Sequence, residues 1–192
     1  MARIYNKIEI EKLREGGRRL ASVVKAITQR IKAGSTGLET DKFAFDLMAK
    51  NGGRPSFLHH DGFPASICLS INEEVVHGVP SRRKFNDGDL VGLDAGLFFK
   101  GLHTDMAVTV AVGKIDKKIN KFLKTAKKAL EIAIKQAIPG KTTGDVGSAI
   151  QEFVEKQGYN VVKELSGHGV GYQLHEKPAI PNFGKKGAGK KL

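Results

Sequence analysis

The chain has 192 residues, with 32 Lys and Arg against 20 Asp and Glu for a formal charge of +12, and is 40% hydrophobic and 27% charged. These proportions exclude a disordered or fibrous chain, and one domain of this length can bury roughly 70% of the surface its unfolded form exposes. A single cysteine, Cys68, excludes an internal disulfide and a cysteine-built metal site, and points to a reducing compartment.

Lys7, Glu9, Glu11, Lys12, Arg14 and Glu15 interrupt the segment from Met1 to Leu20, leaving no apolar core for a signal peptide or membrane span. The chain therefore reads as cytoplasmic, with no membrane partner. Leu20, Val24, Ile27 and Ile31 recur at helical spacing, the buried stripe of a first helix that ends near Gly34. Thr36 and Glu39 form a capping box for a second helix, with Leu38, Phe45 and Met48 as its apolar face and Gly52–Gly53 as its stop. An alternating run from Ala65 to Ile71 and two apolar runs, Leu90 to Phe99 and Leu102 to Val112, read as strands. The last two form a hairpin across Lys100–Gly101.

Past Asp116 the helical pattern returns, with Ile119, Phe122, Leu123, Ala126, Leu130, Ala133 and Ile134 as a long stripe that ends at Pro139–Gly140. Lys117, Lys121, Lys124 and Lys128 share one face of this helix, which is either a solvated face or a footprint for RNA. Thr143–Gly144 opens a shorter helix through Val146, Ile150 and Phe153 to Gly158, as Thr36–Gly37 opened the earlier one, so the chain reads as two related halves offset by about 107 residues. After its second helix the first half continues for 60 residues, from Gly53 to Val112, but the second for 34, from Tyr159 to Leu192. The missing 26 correspond to the hairpin from Asp87 to Val112. Gly184 to Leu192 is rich in Gly and Lys and reads as a disordered basic tail to a single domain spanning 1–183.

Asp94 and Asp105 each interrupt an apolar strand, where an unpaired carboxylate costs several kcal/mol. With a two-residue loop, Asp94 pairs with Ala107, and Asp105 becomes its diagonal neighbour on the same face, about 7–8 Å away between backbones. Such a pair can hold or bridge divalent metal ions; the alternative is that the aspartates mark strand ends or pair with Lys or Arg. His168 stands in Gly167-His168-Gly169-Val170-Gly171, whose glycines permit close backbone approach to a ligand. His175-Glu176-Lys177-Pro178 is not a zincin motif, since position 179 is not histidine.

Taken in order, Asn72-Glu73-Glu74-Val75-Val76-His77-Gly78-Val79-Pro80, Asp87-Gly88-Asp89 leading to Asp94, His103-Thr104-Asp105, and the two histidine motifs resemble type I methionine aminopeptidases, from about Ile8 to Phe183. The resemblance implies the pita-bread α/β (α+β) fold, two pseudo-symmetric halves around a curved, mostly antiparallel sheet, here with its C-terminal strands missing. It implies metal-dependent removal of the N-terminal methionine from nascent proteins or peptides. Asp94, Asp105 and His168 would be metal ligands, with Asp105 bridging. His77 would contact substrate near its amino end, His175 would steady the oxyanion, and Phe63 and Cys68 would line the methionine pocket. For Cys68 a buried strand residue is the equal alternative. The cofactors would be divalent ions (Co, Mn, Fe or Zn), two in the family and one or none here.

Two further glutamate ligands of the family have no counterpart; Glu164 and Glu176 lie outside the glutamate motifs and receive no metal role. Activity is therefore expected to be impaired, and a sheet cut short would offer an exposed edge for self-association. The competing reading is a non-catalytic pita-bread module that binds the ribosome, through rRNA and the basic charge, or a partner protein.

Overall fold

A computed structural model describes residues 3–192; Met1 and Ala2, part of the segment read as free of a leader, lie outside it. The described chain divides into two compact units. The first contains Ile4–Ile115 and Val170–Leu174; the second contains Asp116–Gly169 and His175–Leu192.

In the first unit, helix α1 (Lys7–Thr28) is capped by Asn6 in a capping box with Glu9. It ends before Gly34, and Ile31 stays in the core from the loop beyond. Helix α2 (Gly37–Lys50) has the expected Thr36–Glu39 box, but its buried face is Thr40, Ala44 and Met48. Leu38 and Phe45 are exposed instead, because only the narrower side of α2 fits close to the sheet.

That sheet contains β1 (Arg54–Pro55), β2 (Ile67–Ile71), β3 (Leu90–Phe99) and β4 (Leu102–Ala111), with β3 pairing antiparallel to all three others. Lys100 and Gly101 both take positive φ (49° and 87°), the requirement of a two-residue type I′ turn, and the register is the expected one: Phe99 opposite Leu102, Asp94 opposite Ala107. Val91, Leu93, Ala95, Leu97 and Phe99 alternate inward against Leu20, Val23, Val24 and Ile27 of α1 and Met48 of α2. Each such side chain contributes about 1.5–3 kcal/mol on burial. Period-two alternation turns Gly92, Asp94, Gly96 and Phe98 to the opposite face.

The second unit has α3 (Lys117–Gln136), α4 (Thr143–Lys156) and the antiparallel pair β5 (Ser166–Gly169) and β6 (Glu176–Pro181). Thr142, not Thr143, caps α4 and closes its box with Asp145, so the repeat aligns Thr36 with Thr142. The tail expected to be disordered is instead tied to the start of α4: Thr142 bridges Lys191, Thr143 N donates to Lys190 O at 2.8 Å and Leu192 N to Lys141 O at 2.9 Å. The first unit repeats this pattern, with Thr36 bridging Lys84 and Phe85 N donating to Ser35 O at 2.9 Å.

One contrast separates the halves. Leu20, Val23, Val24 and Ile27 of α1 are buried, but their counterparts in α3, Ala126, Ala129, Leu130 and Ala133, line an open apolar groove of about 340 Å³ with Phe122, Ile150 and Val154. Phe122, Leu130 and Ile134 remain 45%, 57% and 62% exposed.

Candidate metal and substrate site

In the first unit, the β3–β4 register puts Asp94 and Asp105 on the face turned from the helices, Asp105 opposite Gly96. The two carboxyls are close enough for each to act on the other's charge. Burial, and then the neighbouring Asp105 charge, push Asp94 up to about 7. Two carboxyls held this close repel each other when both are charged, and a divalent cation would relieve that repulsion with the oxygen donors that hard cations take.

Cys68 lies opposite Asp94 across the β2–β3 ladder. Its thiol is pushed up to about 12, first by burial and then by the charges of Asp94, Asp105 and Asp41, so it is a neutral wall group and not a nucleophile. Phe57, Cys68 and Leu174 form a small buried apolar cluster with Phe63 packed against it. Asp41 of α2 fixes the start of β2, accepting from Ser66 N at 2.8 Å and Ile67 N at 3.1 Å. An acid pair therefore borders a small buried apolar cluster, with Cys68 common to both.

His77 is exposed on the loop that returns along β2 and sits in the left-handed region at φ 58°. The residue after it explains the constraint: Leu69 N donates to Gly78 O at 2.9 Å, and a β-carbon on Gly78 would overlap the Leu69 carbonyl. A buried carboxylate anchors the far end of this loop. Asp89 accepts from Asn86 N and Asn72 Nδ2, both at 2.9 Å, and pairs with Arg83 at 3.2 Å. Burial alone would raise its carboxyl, yet these partners hold it below the ordinary value.

In the second unit, His168 occupies β5 beside a register shift, and its ring meets that of His175 edge to face with centroids 4.5 Å apart. His168 Nδ1 lies 2.9 Å from Gly169 O, an acceptor only, so Nδ1 carries the hydrogen and Nε2 the lone pair a metal would take. Among the described residues, no group of three or more His, Cys, Asp or Glu side chains is arranged to hold a metal ion.

Sequence reasoning named Phe63, Cys68, His77, Asp94, Asp105, His168 and His175, but missed Phe57 and Leu174. Neither carries a local signal; only the fold brings them to Cys68. His103, quoted within a motif but given no role, lies on the same face as Asp105, with Nδ1 2.9 Å from Ser56 Oγ and its ring 4.6 Å from that of Phe98.

The pattern of metallopeptidase family M24 matches residues 11–192. The methionine aminopeptidase of Clostridium acetobutylicum is 40% identical over 190 residues, an alignment covering 98% of this chain and 76% of that protein. Among solved structures, methionine aminopeptidase from Thermotoga maritima superposes with a TM-score of 0.97 at 39% identity, over 100% of this chain and 78% of that one. Prolidase from Pyrococcus furiosus follows at 0.84 and 27%, over 95% and 53%.

Proposed function

We propose, from the premise that this chain belongs to metallopeptidase family M24 and has its pita-bread fold, that it acts as a methionine aminopeptidase on peptides beginning with methionine. The apposed Asp94 and Asp105 beside a small buried apolar cluster support the reading. Two carboxylates forced together in partial burial repel, and a pure binding module has no physical use for that cost.

Asp94 and Asp105 would hold the cation, with His168 as a further ligand through Nε2. When bound, a divalent ion supplies a nucleophile at neutral pH and polarises the scissile carbonyl. Phe57, Phe63, Cys68 and Leu174 would take the methionine side chain and exclude water around it. His77 would meet the substrate near its amino end, its position fixed by the neighbouring Gly78. His175 would donate to the carbonyl oxygen as negative charge develops there.

The working partner would be a nascent-chain N-terminus in the cytoplasm, and the lysines of α3 would favour the vicinity of ribosomal RNA. Among the described residues no helix is long and apolar enough to cross a membrane. A second reading, a module that binds a partner protein or a second copy without turnover, is favoured by the open α3–α4 groove.

Calorimetric titration with Mn²⁺ or Co²⁺, followed by release of methionine from a Met-Ala-Ser peptide, separates the two. Turnover abolished in Asp105→Ala, with the fold retained by circular dichroism, supports the enzyme. Absence of both metal binding and turnover in the parent chain leaves the binding module.

A further inference from the structure

The first turn of α1 grips the segment Val170–Leu174, which belongs to the first compact unit. One oxygen of the Glu9 carboxylate closes the α1 capping box, accepting from Asn6 N at 2.7 Å; the other accepts the Tyr172 hydroxyl at 2.6 Å. Tyr172 stacks on Tyr5, with centroids 6.1 Å apart and planes 11° from parallel. Beneath them the Tyr5 hydroxyl covers Gly171 so closely that a β-carbon there would overlap it. From the other side, His103 donates its backbone N–H to Gly171 O at 2.6 Å. Three residues on, Leu174 is 3% exposed against Phe57 and Cys68.

We propose that Tyr5, Glu9 and Tyr172 are positioning residues that set how Leu174 packs against Phe57 and Cys68, and thereby tune which N-terminal side chain is accepted. The inference rests on the reading of that apolar cluster as the wall of the methionine slot. The buried cluster around Leu174 is too small to fix a glycine-containing segment by apolar contact alone. A hydrogen bond to a charged acceptor is about twice as strong as a neutral one, and this acceptor is itself immobilised by its helix cap. Tyr172 is exposed, so its contribution comes from the stack and the hydroxyl and not from filling the core.

The test uses the full chain and three variants. Tyr172→Phe keeps the stack and loses the hydroxyl, Tyr172→Ala loses both, and Glu9→Gln keeps an acceptor and the capping-box residue type. Amide exchange at residues 171–174 should accelerate about tenfold in Tyr172→Phe and further in Tyr172→Ala, while the β3–β4 ladder is unchanged. Glu9→Gln, which keeps an acceptor but removes its charge, should give an acceleration between those of the parent chain and Tyr172→Phe. NMR titration with L-methionine and L-leucine should show the preference for methionine falling several-fold in Tyr172→Phe and by less in Glu9→Gln. Unchanged loop exchange in both Tyr172 variants overturns the latch. Faster exchange with an unaltered preference overturns its role in selectivity. A parent chain with no preference for methionine sinks both this inference and the reading of the pocket, whatever the exchange data show.

Discussion

Asp94 is held where its carboxyl keeps a proton up to about 7, against an ordinary value of 3.8. The folded chain therefore retains this proton to a higher pH than the unfolded chain does, so its stabilising contribution is complete below 3.8 and lost as pH rises through about 7. Chelator-treated protein should melt at a lower temperature at pH 8 than at pH 5.5, and Asp94→Asn should narrow that gap, read by thermal melts at both pH values. Added Mn²⁺ should raise the melting temperature more at pH 8, where no proton competes for the pair. Equal shifts at the two pH values would count against a cation at this position. The acid pair was legible because the strand pattern and a two-residue turn fix its geometry locally. Leu174 was not, since its partners Phe57 and Cys68 lie over a hundred positions away in the chain and no periodicity links them.

Short-range rules describe the helix starts well. Thr36 with Glu39 and Thr142 with Asp145 both close capping boxes; the first was read from the sequence, and for the second only the helix start at Thr143 was. Which face of α2 is buried depends on what stands opposite, and there the small Ala44 and Thr40 displaced Leu38 and Phe45. Composition also misled at Gly184–Leu192, because backbone pairing with the start of α4 leaves no mark on residue type. Gly144 lies against the carbonyls of Lys185 and Ala188, where a β-carbon would overlap both. Gly144→Ala should detach this strap at a cost of about 1–3 kcal/mol. Denaturant titration should show the loss, and faster amide exchange at Ala188 to Leu192 should localise it; unaltered exchange there would refute the packing argument.

The same backbone plan occurs in each half of the molecule, but the apolar content differs. The first unit centres on a cluster that joins α1, α2 and the sheet, whereas α3 buries small residues, Thr125, Ala129 and Ala133, and leaves its larger ones exposed. Unfolding in urea should therefore be non-coincident, with amides of α3 and α4 losing protection at lower denaturant than those of β3 and β4. A single transition shared by all amides would show that the two units fold as one. The helix pattern made the duplication legible; the imbalance was not, since exposure of a stripe depends on what faces it. The tight hairpin reaches further than stability. With the two carboxylates on rungs of one ladder separated by a single intervening pair, their spacing is measured out by the strand repeat, so the helices and loops around the hairpin can change over evolutionary time without altering the distance between the two acids.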